Sequence, residues 1–389
     1  MKETKTVPIV AELDALGAVM TEWRRDFHRH PELAFGETRT AGLIAEWLRS
    51  FGLSPVTGIG GTGVVAVVEG AQPGPAIALR ADMDALPMQD EGGRDWHSHT
   101  PDVAHACGHD GHCAALLGVA RHLAAHPPQR GRVVLIFQPA EENGLGARAM
   151  IDGGLLDRFP FDEVYAFHNM PLLNSGTAGV RTGPALNGYI VWQVTVDGVG
   201  GHGAAFFKAT DPLQAAARLA TEISSIVGRY VDPMESGLIT VCSLQAGSSH
   251  NIIPASASLS GTLRALKPEV LALLYERLEA ACAGIAAMSG CTIRCERLAE
   301  VPPCVNAAEG AERAAAACAA VLGEDKVIRD HAPFPFTDDF ALFLKAAPGA
   351  YLFLGQDSAM CHNPAYDFDD ALLPVAASIF VTLVRQRLG

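Results

Sequence analysis

The eight residues His105-Ala-Cys-Gly-His-Asp-Gly-His112 set one thiol, three imidazoles and one carboxylate directly ahead of an apolar helical pattern, and no other stretch restricts the fold so strongly. Thiolate and imidazole suit zinc and its transition-metal neighbours, and carboxylate also admits manganese, so the mixture reads as a metal site of intermediate softness. Cys107 and His109 are the candidate ligands. One residue separates them, and Gly108 can supply the bend that turns both toward one ion. The alternative makes Cys107 a small buried hydrophobe and the histidines polar residues at a helix start. Against it stands Gln138-Pro-Ala-Glu-Glu142, which follows the strand-like Arg132-Val-Val-Leu-Ile-Phe137 and puts two adjacent carboxylates at a strand's C-terminal end. Open α/β sheets keep their chemistry at that edge.

In chain order, Leu13, Leu16, Met20, Trp23 and Phe27 recur at helical spacing over residues 9–29 until Pro31 intervenes. Residues 37–50 repeat the pattern, with Gly52 as the stop. The continuous apolar runs at 63–68 and 76–80 predict strands covered on both faces. A helix over 110–125, a strand into Phe137, a helix over 147–151 and a strand over 163–167 follow. This is an α/β pattern with a mixed, mostly parallel sheet between helices. His168 is expected just after the last of these strands, on the edge that carries Cys107, His109, Glu141 and Glu142. Beyond Gly183 the order becomes strand, helix, strand, strand, helix, strand, at 189–196, 211–227, 238–244, 256–263, 268–288 and 292–296. That order matches a ferredoxin-like βαββαβ unit able to fold alone. After Pro302-Pro303 we expect helices over 307–321 and 339–344, a strand over 350–354 and a last helix to Leu388. A chain of 389 residues exceeds the size at which one core stops growing, so two domains are expected.

With 49% hydrophobic and 19% charged residues, the chain reads as globular rather than disordered. Its formal net charge of −14 argues against nucleic acid and anionic membranes, since both select basic surfaces. The nine cysteines follow no framework of spacings, and the N-terminus has no apolar signal core. No apolar run approaches the ~18 residues of a membrane span. A soluble protein of the reducing cytoplasm is the expectation.

The two runs above stand in order with Phe27-His-Arg-His-Pro-Glu-Leu33, Leu79-Arg-Ala-Asp-Met-Asp-Ala-Leu-Pro87, Phe167-His-Asn-Met-Pro171, Gly200-Gly-His-Gly203, Asn251-Ile-Ile-Pro254, Gly261-Thr-Leu-Arg264 and Cys361-His-Asn-Pro-Ala-Tyr-Asp-Phe368. Together they resemble the amidohydrolase branch of the dinuclear-metal aminoacylase and carboxypeptidase family, which includes hippurate hydrolases and auxin-conjugate hydrolases. The resemblance spans nearly the whole chain. It implies Cys107, His109, Glu142, His168 and His362 as ligands of two divalent ions per subunit, zinc or manganese first and cobalt or nickel next. Paired ions of this kind lie about 3.5–4 Å apart, and a thiolate and a carboxylate among the ligands offset their repulsion. With His362 joining from the closing segment, residues 1–184 and 302–389 form one discontinuous catalytic domain. Residues 185–301 are then an inserted lid and dimerisation domain.

Carboxypeptidase relatives place a histidine where Asp82 stands, so Asp82 is not assigned as a ligand. Asp84 is expected to orient one, with a turn-forming role before Pro87 as its alternative. Glu141 is expected as the general base beside the attacking water, returning the proton to the leaving amine; otherwise it is a solvated strand-end carboxylate. The glycine-flanked His202 is implied to donate to the oxyanion. Asn251 and Arg264 occupy positions that bind the substrate carboxylate in relatives, which suits the guanidinium fork; they could instead be a turn former and a surface cation. Many relatives carry a proline-histidine pair after the Gly-Gly-His-Gly turn, whereas this chain has Phe206-Phe207-Lys208. Those aromatics could wall an acyl pocket or pack under the lid.

The implied activity is hydrolysis of N-acyl-L-amino acids, such as N-acetyl or N-benzoyl conjugates, by a homodimer joined through its lids or by a larger homo-oligomer. A dipeptidase or carboxypeptidase of the same family is one alternative, although no feature announces a site for a free α-amino group. A metal-stabilised binding protein is the other, but structural sites are normally closed by four ligands and leave no reason for a carboxylate such as Glu141.

Overall fold

The computed structural model describes residues 10–389, and the N-terminal residues considered for a signal core lie outside them. The chain forms two compact units. One comprises the chain through Ala185 together with Val305–Ala332 and Asp338–Gly389; the other comprises Leu186–Cys304 and Pro333–Thr337.

Among the described residues, the first unit holds an eight-stranded mixed sheet in the order Val56–Ile59, Gly63–Glu69, Arg130–Gln138, Gln72–Asp82, Glu163–Met170, Gly349–Gly355, Ala178–Gly179, Val327–Ile328. The four central strands, from Arg130–Gln138 to Gly349–Gly355, are mutually parallel, and both flanks begin with an antiparallel neighbour. Their interior stretches are buried throughout, as their unbroken apolar sequences require. Because they run parallel, their carboxyl ends lie on one edge. The expected strand over 163–167 continues to Met170, because Gly349–Gly355 pairs with it in register as far as Gly355 opposite Met170. His168 therefore lies inside the strand, opposite Phe353, rather than just beyond it.

Helix His109–Ala125 is buried along nearly its whole length, which explains an apolar sequence with almost no polar face. It packs against Gly17–Arg29 and Leu372–Leu388. The first expected helix is interrupted at Leu16, which separates Ala11–Ala15 from Gly17–Arg29.

The second unit has a four-stranded antiparallel sheet in the order Gly237–Ala246, Ser256–Ala265, Gly188–Asp197, Thr292–Val301, with helices Pro212–Tyr230 and Pro268–Ser289. In Gly188–Asp197 every second residue is buried, so the strand turns one face to a core holding Trp192, Val194, Leu219, Ile223, Leu259 and Leu274. Asp211 caps the first helix by accepting from the Leu213 and Gln214 amides, with Pro212 in the opening turn. No helix among the described residues is long and apolar enough to cross a membrane.

A buried ion-pair network ties the first unit's helices to its closing segment. Arg24, fully buried, places Nε 2.9 Å from Asp110 and also pairs with Asp367 and Asp370. His28 Nδ1 lies 2.8 Å from the same Asp110 carboxylate. Burial alone would raise Asp110, but Arg24 and then His28 hold it well below the usual carboxylate range. Asp110→Asn leaves Arg24 short of one carboxylate in the interior, a change that costs about 3–5 kcal/mol. Asp110 titrates below its unfolded value of about 3.9, so its contribution is complete above that pH and is lost as pH falls toward the folded value. Denaturant unfolding should show a gap between wild type and variant at neutral pH that closes in the acid range; a gap that persists there would refute this account.

Candidate metal centre

The carboxyl edge of the parallel strands gathers residues far apart in sequence. Gly108 adopts the left-handed conformation, with φ 100°, immediately before the helix that begins at His109. A Cβ there would stand 2.2 Å from Asn169 Oδ1, so only glycine lets Cys107 and His109 turn onto this edge. Cys107 Sγ lies 3.4 Å from His168 Nε2, and His168 Nδ1 donates to the Asn169 carbonyl at 2.7 Å. That bond fixes the proton on Nδ1 and leaves the Nε2 lone pair facing the thiol.

His109 is oriented in the same manner. Its Nδ1 lies 2.9 Å from the Asp84 carbonyl and 3.3 Å from the Asp84 carboxylate. Among the described residues its buried Nε2 makes no hydrogen bond; it lies 3.5 Å from Asp82 Oδ2 and 3.9 Å from both Glu141 Oε2 and Glu142 Oε1. Asp84 also accepts from the Glu142 amide at 3.0 Å, so one carboxylate positions both a histidine and a glutamate. His362 Nε2 stands 3.3 Å from Glu142 Oε2, and the His362 amide donates to the Ala106 carbonyl at 2.8 Å. Overlapping sets at this edge include Cys107 with His109 and His168, Cys107 with Glu142 and His362, His109 with Glu141 and Glu142, and Asp82 with His109 and His112, each with ligand atoms within 4.8 Å of one another.

This donor set fits divalent ions. Among the described residues, His109 Nε2 and Glu142 Oε1 are both buried without a hydrogen-bond partner. Their separation of 3.9 Å is too long for a hydrogen bond, but donors each about 2.0–2.2 Å from a shared ion can stand that far apart. Electrostatics agree. Burial would lower His109, yet Asp82, Asp84 and Glu142 raise it to about 10, the response of a pocket with surplus negative charge. Burial, followed by Asp338 and Glu142, pushes Glu141 well above the usual carboxylate range. The neighbouring Cys361 and then burial raise the Cys107 thiol, and burial followed by His112 lowers His168.

Asp82 borders this site as well: its oxygens lie 2.7 Å from Arg80 and 2.6 Å from His112, and Oδ2 stands 3.5 Å from His109 Nε2. Arg80 also meets Gln138, Asp338 and Asp339, and Asp339 accepts from Gln138 and from the Ala147 amide, which braces the turn bearing the glutamates. The sequence reading missed this support. A charged Arg80 within an apolar strand was the available signal; Asp338-Asp339 offered none.

His202, Asn251 and Arg264 lie in the second unit. A two-stranded ribbon pairs Gly201–His202 with Ile252–Ile253, so the exposed His202 and Asn251 share one loop cluster. The Gly203 amide donates to the Asn251 carbonyl at 2.9 Å. Arg264 lies apart from them, donating to Thr337 at 3.3 Å beside the Tyr189 ring. Phe206 and Phe207 are 68% and 73% exposed, so they do not pack beneath this unit's sheet.

A profile of Peptidase family M20/M25/M40 matches residues 78–386. The chain belongs to this family. Its members hydrolyse amide bonds, and the enzyme class expected from the motifs is thereby borne out. Hippurate hydrolase of Campylobacter jejuni is 36% identical over 381 residues, covering 98% of this chain and 99% of that protein. N-acetylcysteine deacetylase of Bacillus subtilis is 34% identical over 365 residues, covering 92% and 94%. The crystal structure of Bacillus subtilis YXEP, described as a dinuclear metal-binding peptidase from the M20 family, superposes with a TM-score of 0.83 at 31% identity, covering 96% of this chain and 99% of that one.

Gly146 tests how the glutamate turn is held. A Cβ there would fall 1.6 Å from the Pro139 carbonyl oxygen, an impossible approach. Gly146→Ala must displace the Pro139–Glu142 turn, and we expect metal affinity to fall about 10–100-fold, as when ligand-supporting contacts are lost. Metal titration beside denaturant unfolding separates this from general destabilisation. Weakened stability with unchanged metal affinity would refute the positioning role.

Proposed function

We propose that this protein hydrolyses the amide bond of N-acyl-L-amino acids, giving a carboxylate and a free amino acid. The observation that carries this reading is the meeting of the unpartnered His109 Nε2 and Glu142 Oε1 with Glu141, a third group 3.9 Å from the same nitrogen. Hippurate and N-acetylcysteine, named for two relatives, are both N-acyl amino acids, which supports the substrate class. Cys107, His109, Glu142, His168 and His362 would hold two divalent ions, with zinc or manganese best suited to the mixed donor set. Such ions supply Lewis acidity toward the amide carbonyl and the attacking water.

The chain's own residues do the rest. Glu141, 3.9 Å from His109 Nε2, takes the proton of the attacking water as a carboxylate and passes it to the leaving nitrogen as the carbon–nitrogen bond breaks. Asp84 keeps His109 in the tautomer that presents Nε2. The second unit is assigned as a ferredoxin-like lid, with His202 donating to the oxyanion and Asn251 and Arg264 meeting the substrate carboxylate. Among the described residues its outer strands Gly237–Ala246 and Thr292–Val301 are each paired on one side, and exposed edges of this kind favour pairing with a second copy. We infer a homodimer in which His202 of one subunit serves the other's centre. Free cysteines throughout support a reducing, cytoplasmic setting.

The base is tested by Glu141→Gln, which should lower kcat about 10²–10⁴-fold with metal content unchanged. Metal loss would mean that Glu141 and Glu142 have exchanged roles. A wild-type protein inert toward a broad acyl-amino-acid panel with manganese, zinc, cobalt or nickel would overturn the substrate class. For the dimer, inactive Glu141→Gln and His202→Ala chains are mixed under subunit exchange. Action across the interface restores activity in the heterodimer, which holds one intact site; heterodimers confirmed by mass spectrometry yet inactive would place His202 within its own subunit.

A further inference from the structure

Helix His109–Ala125 carries metal-binding side chains at both ends. At a rise of about 1.5 Å per residue, its last turn lies about 20 Å from His109, well clear of the centre described above. There we propose that Glu12, His122 and His126 form a peripheral site for one divalent transition-metal ion of the zinc, nickel or copper type.

Geometry carries the assignment. Glu12 Oε2 lies 2.9 Å from His122 Nδ1 and 3.7 Å from His126 Nδ1. Donors around a tetrahedral ion at about 2.0–2.1 Å stand about 3.4 Å from one another, and the two distances bracket that spacing. All three ligand atoms fall within 4.8 Å of each other. The imidazoles, one helical turn apart, stack at 4.8 Å between centroids and 26° between planes, so both present an edge to the same carboxylate. The side chains of Glu12 and His126 are 56% and 53% exposed, which leaves room for water to complete the shell, while that of His122 is buried and fixed. Burial and then Arg385 lower the His122 imidazole, keeping it neutral.

Arg385 adds a distinctive feature. Its Nη2 lies 2.9 Å from His122 Nε2, and a guanidinium can only donate. In the metal-free protein Nε2 therefore accepts, and the Nδ1 proton points to Glu12. An ion at Nδ1 requires the proton on Nε2, and the Arg385 contact is then lost. The His126 Nδ1 contact to the His122 carbonyl, long at 3.3 Å, is displaced as well. Arg385 thus opposes the ion that the other three residues hold. A bound ion would fasten the Ala11–Ala15 helix to the central helix.

Equilibrium dialysis of the full-length holoprotein against zinc, and separately against nickel, should show wild type binding one ion more per chain than Glu12→Gln or His126→Ala, or binding it at least tenfold more tightly. Arg385→Met should retain that ion with higher affinity than wild type. Only the difference between proteins reads this site, so the outcome does not depend on occupancy of the central centre. With copper(II) as probe, electron paramagnetic resonance should show two coordinating imidazole nitrogens in wild type and one in His126→Ala. Equal stoichiometry and affinity in wild type and both ligand variants would overturn the proposal, as would Arg385→Met weakening the binding or spectra unchanged by His126→Ala.

Discussion

Crowded negative charge at one edge of the sheet is the constraint on which the rest of the first unit depends. Asp82, Asp84, Glu141, Asp338 and Asp339 are all buried there, beside the Cys107 thiol and Glu142. Uncompensated burial of even one carboxylate is prohibitive. The protein meets part of this with Arg80, which reaches Asp82, Asp338 and Asp339 from a single fully buried guanidinium. It meets another part with hydrogen bonds, such as Tyr351 Oη to Asp338 at 2.5 Å and the Phe340 amide to the same residue at 2.7 Å. Glu141, Glu142 and Cys107 lie beyond Arg80's hydrogen bonds. In the absence of an ion the surplus is met by raising Glu141, Cys107 and His109 toward their protonated forms, and an edge that holds protons this way is suited to the divalent ions proposed for it.

Sheet topology explains how such a site can be built from segments nearly three hundred residues apart. Parallel neighbours place every carboxyl end together, so each crossover returns a new loop to the same edge. The loops after Gln72–Asp82 and Arg130–Gln138, the last turn of Glu163–Met170 and the segment after Gly349–Gly355 deliver Asp84, the glutamates, His168 and His362 respectively. Helix His109–Ala125 contributes from its N-terminus, where orphan amides and dipole favour anionic neighbours.

What the sequence made legible follows from where the signal is local. Continuous apolar runs and helical periodicity located the long helices and the central strands, because burial on both faces of a parallel strand leaves no room for polar residues except where a partner is built in; the short sheet strands Val56–Ile59, Ala178–Gly179 and Val327–Ile328 carry too few residues for such a pattern and were not expected. The residues that meet at this edge were legible for the same reason: cysteine, histidine and paired glutamates beside glycine stand out at a strand end, and Cys107, His109, Glu142, His168 and His362 are brought together there. The support beneath them was not. Asp338-Asp339 has no periodicity and no spacing relation to Arg80, and its purpose exists only once residues 258 positions apart share a hydrogen bond. The end of the Glu163–Met170 strand was misjudged because pairing with Gly349–Gly355, not propensity, carries it past His168.

Two backbone positions show how firmly the ligands are held. Ala140 and His362 take positive φ values of 52° and 66°, a region that disfavours residues bearing a Cβ. Each such residue costs on the order of 1–3 kcal/mol and persists only where its surroundings over-determine it. Ala140 is held by its amide donating to Glu37 Oε1 at 2.8 Å and its carbonyl accepting from Gly146 at 3.0 Å; His362 is held by the Ala106 carbonyl. Both strained residues stand at or beside proposed ligands, one directly before Glu141-Glu142 and the other itself proposed as a ligand. Both positions thus aim the residues at or beside them, and Glu142 and His362 stand 3.3 Å apart at the end of these two strained segments.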